Sequence, residues 1–485
     1  MDPSKRVLSV TPSVTSTAVL TAFADVESST TLNTEVGIAV GGMVVAWKDG
    51  GEYSGSSPDP VYVQNAMTMN AGQTYTLELM WRPATAEPAG VFLEAGDPVP
   101  PYGPGFSPTT LNALLTPTAD NLVAAQPSTG TTQFSTNSTS WHVMDSTVEK
   151  SFTTPAGSGN HSTLLTASAD LYSVSPQANA DMGICLAAAS VLSATCTRTG
   201  ESIIAAQTSG AAALAMPIAA LVEATATLTP STTYTMGIFW QAESAHTIDA
   251  GASGGTEGGY SLTSVIAQMT PTADGELLST AASAVQTRAF GTGDDGTAWQ
   301  TIGSETQSFT PSVNVLTYVT ANLTLAMASG IDPIDFGICV TVSGQTCDAA
   351  GDYIVAETAS RQVGPTPDAA HLQLPVFMNA TKTYTVTPGV ARGYGVVEWV
   401  DDGGQGGCAR VHRRDLVDQP RSNNPRISGI GPLAWAGWSR RWNRTLIRMS
   451  AFFVTTMRKR FSQSVAHTRA YLAGCRPQGC SEVST

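Results

Sequence analysis

Three times along the chain a short turn is followed by the same alternation of polar and apolar residues. Thr74-Tyr75-Thr76-Leu77-Glu78-Leu79-Met80-Trp81 follows Asn70-Ala71-Gly72-Gln73. Thr233-Tyr234-Thr235-Met236-Gly237-Ile238-Phe239-Trp240 follows Thr229-Pro230-Ser231-Thr232, and Thr383-Tyr384-Thr385-Val386 follows Asn379-Ala380-Thr381-Lys382. A period of two in β-branched and aromatic residues predicts a strand, with Tyr on one face and its Thr neighbours on the other. The tyrosines stand 159 and 150 residues apart, so the repeating unit is a whole domain.

Other pieces recur in the same order. Residues 16–25 match residues 161–170, both ending in Ala-Asp at Asp25 and Asp170; the third copy has Ala321-Asn322. A Gly-Ile strand follows at Gly37-Ile38, Gly183-Ile184 and Gly337-Ile338. Residues 211–224 would pass for a helix on propensity. Their counterparts Val61-Tyr62-Val63-Gln64 and Leu372-Gln373-Leu374 alternate instead, so a strand leading into the Tyr hairpin is expected. Trp141 with Ser151-Phe152-Thr153 and Trp299 with Ser308-Phe309-Thr310 introduce the second and third repeats; the first has only Leu8-Ser9-Val10-Thr11 there. Thr-Pro-Thr-Ala-Asp closes the first two, at Asp120 and Asp274, and does not return. The expected domains are residues 1–120, 121–274 and 275–402, the outer two incomplete, followed by a basic tail at 403–485.

About eight short strands per repeat predict an all-β chain of tandem antiparallel sandwiches. The Tyr strand, the hairpin before it and the closing strand resemble the last strands of jelly rolls in viral-fibre, tumour-necrosis-factor-like and complement-head-like modules. That resemblance implies a jelly-roll-like fold and a surface or fibre-like role. Immunoglobulin-like sandwiches are the alternative, but the paired Cys around a central Trp is missing.

Charge divides the chain. Residues 1–402 carry 10 basic and 35 acidic side chains, and residues 403–485 carry 14 basic and 3 acidic. A body so acidic repels nucleic acid, which excludes that partner for residues 1–402. No run of eighteen apolar residues offers a membrane-spanning helix. Ala22-Phe23-Ala24 after Lys5-Arg6 mimics a secretory signal. Its match to the second repeat marks it as a core strand, and no clear signal peptide is left.

Cysteine is the most informative residue type. Cys185 and Cys196 lie 11 apart and Cys339 and Cys347 lie 8 apart, each pair starting directly after Gly-Ile. The first repeat has Ala39 at that place and no cysteine. Pairs present or absent together predict local disulfides, with Cα atoms within about 7 Å. They suggest an extracellular, cell-surface or virion-surface setting. Buried thiols in a reducing cell are the alternative. The spacings fit no paired Cys-x-x-Cys zinc site.

Candidate chemistry is thin. Gly251-Ala252-Ser253-Gly254-Gly255 matches a nucleophile elbow, but Thr256-Glu257-Gly258-Gly259 offers no helix after it. His246 near Asp249 and His142 near Asp145 could be acid–base pairs, yet neither recurs. Glu94 and Asp249 recur once per repeat, short of the two carboxylates a glycosidase needs. Asp294-Asp295-Gly296 and Asp401-Asp402-Gly403 read as turns rather than calcium loops. Asn137, Asn160, Asn322, Asn379 and Asn443 head glycosylation sequons. No catalytic residue, metal or cofactor is expected.

In the tail, 13 of 14 basic residues are Arg, with Trp435, Trp438 and Trp442 among them. It reads as an amphipathic helix for an anionic surface, a nucleic-acid binder, or a GC-rich gene translated in the wrong frame. Arg almost to the exclusion of Lys and the abrupt end of the repeat favour the last, with the tail disordered or loosely helical. The expectation is a non-enzymatic surface, fibre-like or adhesive protein whose ligand is a glycan or a protein, and which can homo-oligomerise. The alternative is a carbohydrate-binding or carbohydrate-active module.

Overall fold

The structure, a computed structural model, describes residues 7–28, 34–50, 59–83, 93–95, 109–128, 133–173, 178–211, 218–251, 262–270, 299–302, 306–310, 315–325, 332–342, 345–347, 354–363, 370–380, 383–392, 399–400 and 410–411. Apart from two single-turn 3-10 helices, the regular elements there are strands.

The first repeat holds β1 (Val7–Val10), β2 (Ser16–Ser28), β3 (Thr34–Val40), β4 (Met43–Gly50), β5 (Asp59–Met69), β6 (Tyr75–Pro83), β7 (Leu93–Ala95) and β8 (Thr110–Pro117). One sheet runs β1-β6-β3-β4; in the other, β5, β7 and β8 pair with β2. The second repeat holds β9 (Val123–Pro127), β10 (Phe134–Thr136), β11 (His142–Val143), β12 (Glu149–Thr153), β13 (His161–Ser173) and β14 (Ala178–Ala187). It continues with β15 (Glu201–Ala211), β16 (Ile218–Leu228), β17 (Thr233–Ala242), β18 (Ile248–Ala250) and β19 (Ser264–Met269). Its sheets run β9-β19-β13-β16, with β18 and β10 alongside, and β12-β17-β14-β15, with β11 beside β12 on β17.

The strand order decides the fold. Number β9, β12–β17 and β19 from one to eight: the sheets read 1-8-3-6 and 2-7-4-5. That is the jelly roll, two Greek keys folded over one core, and the immunoglobulin alternative is set aside. The first repeat has the same order without strand one among its described residues. The third has β20 (Gln300–Thr301), β21 (Gln307–Phe309), β22 (Val315–Leu325), β23 (Asp332–Val342), β24 (Ile354–Val363), β25 (Ala370–Ala380) and β26 (Tyr384–Arg392). It keeps the 2-7-4-5 sheet as β21-β26-β23-β24. Of the other sheet its described residues show β22-β25, so β22 has a partner on one side where β2 and β13 have them on both.

Recurring residues hold recurring geometry. The ladder shifts register directly after Ile38, Ile184 and Ile338, so each Gly-Ile precedes a bulge. Glycine precedes it because the neighbouring strand passes close: a Cβ on Gly183 would lie 2.7 Å from the Ala205 carbonyl oxygen. The tyrosines clamp their own turns. Tyr75 Oη accepts the Asn70 N–H at 2.8 Å and Tyr234 Oη accepts that of Thr229 at 3.0 Å. These rings are half-buried at the rim. Leu165, Met182, Ile184, Ile238 and Trp240 fill the core of the second repeat, and Leu20, Ile38, Val63 and Leu77 that of the first. Residues 211–224, where they are described, are strand: β16 forms an antiparallel ladder along the edge of β13, from His161 opposite Leu228 to Leu171 opposite Ile218.

Residues 1–395 form one compact unit and residues 396–485 another. Within the first unit the repeats do not string out in a line. β4 packs on β16, β15 on β25, and β24 on β5. Each contact sets the fifth strand of one jelly roll against the sixth strand of another. Three head-to-tail contacts of one kind close a ring with approximate threefold symmetry. Phe23 and Tyr62 of the first repeat, Leu221 of the second and Phe336 and Leu374 of the third share one apolar cluster. Polar ties run alongside: Thr166 donates to Gln64 at 2.8 Å, Gln64 to Ser264 at 3.1 Å, and Asn322 to Glu223 at 3.4 Å.

In the second unit β27 (Trp399–Val400) pairs with β28 (Arg410–Val411). The rest of the tail at 403–485, with its expected helix and tryptophans, lies outside the described residues.

Candidate functional site

The ring repeats one feature in three versions: the loop between the fourth and fifth strands, hung from the Gly-Ile bulge. In the first repeat it is the two-residue turn Gly41-Gly42. Both residues have positive φ, 58° and 80°, the conformation of a tight hairpin turn. In the second it is residues 188–200, stapled by Cys185–Cys196 with Cα atoms 6.1 Å apart. In the third, Cys339–Cys347 spans the same 6.1 Å. The Val342 N–H there donates to Gln345 Oε1 at 2.9 Å.

The long loop of the second repeat folds back over the outer face of its own sheet. Leu192 lies against Gly237, where a Cβ would meet its Cδ1 at 2.9 Å. Cys185, Cys196 and Phe239 are buried beneath it, with Trp141, Val143, Leu192 and Ile203 packed around them. A second apolar layer therefore sits outside the sandwich. Glu201 ties the loop together. It accepts from the Ser193 N–H at 2.7 Å, the Ser193 hydroxyl, the Arg198 N–H at 3.0 Å and the Arg198 guanidinium at 2.6 Å. Burial works to raise this carboxyl, but the bonds from Ser193 and Arg198 and the Arg198 charge outweigh it and hold it below the ordinary value. Neighbouring Glu149 is raised, by burial first and then by the charges of Asp145 and Glu201. The tip residue Val191 stands 58% exposed.

The acid–base pairs suggested by sequence are accounted for otherwise. His142 Nδ1 contacts the Ser140 carbonyl at 2.9 Å, while Asp145 caps the 3-10 turn Ser146–Val148 through the Thr147 N–H at 2.8 Å. His246 Nδ1 bonds the Ser244 hydroxyl at 2.7 Å, whereas Asp249 is buried in its sheet and accepts from Ser135. Of the elbow motif only Gly251 is described, and the side chain of Glu94, Asp294-Asp295-Gly296 and Asp401-Asp402-Gly403 lie outside the described residues. Asn137 and Asn160 are exposed, and Asn322 is taken up by Glu223. Among the described residues no group of three His, Cys, Asp or Glu is placed to hold a metal ion. None of their helices is long and apolar enough to cross a membrane. Sequence reasoning missed Glu201 and the buried Lys48; the scarcity of lysine was the signal for the second.

No family model matches the chain, and no curated protein matches it. Among solved structures, an archaeal-virus protein described as a triple jelly roll fold with turret assembly aligns at 8% identity. The alignment covers 80% of this chain and 82% of that one, with a TM-score of 0.17. Infectious bursal disease virus, Gx strain, aligns at 10% identity over 81% of this chain and 75% of that one, with a TM-score of 0.15. Superpositions this loose identify neither a relative nor a function.

Proposed function

We propose that the chain is a non-enzymatic surface or fibre-like binding protein. Its domains, at 1–120, 121–274 and 275–402, contribute three jelly rolls to one ring within residues 1–395, and their fourth-to-fifth-strand loops contact a glycan or protein ligand. The observation that carries this reading is the loop at 188–200. It is stapled, knit by Glu201 and presents Val191 from an otherwise acidic body. Rigid scaffolds displaying variable loops are built for recognition. The two disulfides support an extracellular, cell-surface or virion-surface setting. Arrays of glycans and cell-surface proteins, run beside a glycoside-hydrolase panel, test the proposal. The expected result is a bound ligand without turnover, lost when residues 188–200 are replaced by Gly-Gly as in the first repeat. Hydrolysis of any glycan by the intact chain would move it to the carbohydrate-active reading.

A further inference from the structure

Residues 1–402 contain four lysines against 35 acidic side chains, and one of the four lies in the interior. Lys48 on β4 and Asp170 on β13 are 1% and 0% exposed, with Nζ 3.9 Å from Oδ1. Lys48 Nζ also donates to the Leu262 carbonyl at 2.8 Å. β4 belongs to the first repeat and β13 to the second, so this contact lies across one joint of the ring. Lys48 faces Val36 one place before Gly37. The same ladder position holds Gln207 in the second repeat and Thr358 in the third. The position of Asp170 is held by Asp25 and Asn322. At these matched positions the sequence sets an amine against a carboxyl group only between the first and second repeats.

Burial penalises the charged form of both partners, and each buried ion costs several kcal/mol. One proton passed from the ammonium to the carboxylate removes both charges. It leaves an amine facing a carboxylic acid, held by two packed sheets with Nζ 3.9 Å from a carboxyl oxygen. We propose that Lys48 and Asp170 condense to an amide that covalently joins the first repeat to the second. Lys48 Nζ forms a bond to Asp170 Cγ, and the Cγ–hydroxyl bond breaks. The hydroxyl leaves with one proton from the attacking nitrogen as a single water, with no oxidant or reductant. Ser168 stands two positions earlier on the same face of β13. Its buried hydroxyl has no hydrogen-bond partner among the described residues. The product carries no charge, so the cost of the buried ions disappears with the reaction.

Mass spectrometry of the purified full chain, reduced and alkylated so that the disulfides do not enter the count, decides the matter. The expected intact mass is lower than that of the sequence by one water, and digestion yields a branched peptide joining the Lys48 and Asp170 segments. Lys48→Arg, which keeps a cation at the joint, restores the full mass. Asp170→Asn gives the same branched peptide with ammonia lost in place of water. A wild-type chain of full mass, with both segments recovered as linear peptides, overturns the proposal and leaves a plain buried ion pair.

Discussion

The first and second repeats share a fold and differ in what lies on the outside of one sheet. Met80 and Phe239 hold the same place on β6 and β17, one before Trp81 and the other before Trp240. Met80 is 43% exposed and Phe239 is fully buried. Val44 stands where Ile203 stands, and it is 54% exposed. The difference comes from two short changes in sequence. A Gly-Gly turn in one repeat becomes a stapled thirteen-residue loop in the other, and Glu78 becomes Gly237, which makes room for Leu192. A jelly roll can thus gain a second apolar layer without altering its sandwich.

The comparison is most exposed to test at the two matched positions. Phe239→Ala should cost about 3–5 kcal/mol in urea unfolding, as for other large aromatic cavities. Met80→Ala should stay within about 0.5 kcal/mol, as at other exposed sites. Equal losses would break the contrast. Replacing Cys185 and Cys196 together by Ser should remove about 2–3 kcal/mol, the chain-entropy value for so short a loop. It should also open residues 188–200 to protease. Gly237→Glu, which copies the first repeat, forces a side chain against Leu192 and should cost about 1–3 kcal/mol. Unchanged protection of the loop would show that Leu192 is not what seats it.

The smallest effect is the response to pH. The carboxyl of Glu201 is held below its unfolded value, so its contribution is present above the ordinary carboxylate range and fades as pH falls through the lowered value. Glu149 is raised, so it opposes folding at neutral pH and ceases to do so as pH falls through its raised value. Loop stability followed by hydrogen exchange should therefore improve first on acidification and then decline. Glu149→Gln should abolish the first phase and Glu201→Gln the second.

Much of this was legible before any coordinates. Period-two alternation marked the strands, and the repeats overruled the helical propensity of residues 211–224, because a common fold needs the same element in each copy. Cysteines paired in presence and absence marked the staples. The tyrosines gave the register of the hairpin but not their role, since each described hydroxyl closes its own turn at the rim. The ring was not legible. Its joints are built from residues such as Phe23, Tyr62 and Leu221 that any inward-facing strand would carry, and nothing in a single copy distinguishes a core contact from a contact with the next repeat. Glu201 was hidden for a related reason: a carboxylate that satisfies a loop looks like any exposed acid until the loop is folded.

Ring closure within one chain has a consequence for dilution. Three separate jelly rolls joined head to tail would fall apart as their concentration dropped, because assembly would cost each its translational freedom. Tethered, each repeat meets the next at an effective concentration of roughly millimolar, set by the connecting chain. The melting temperature of the ring should carry no dependence on protein concentration. A single molecule, far from any other copy, still holds its three jelly rolls in fixed order and equal number.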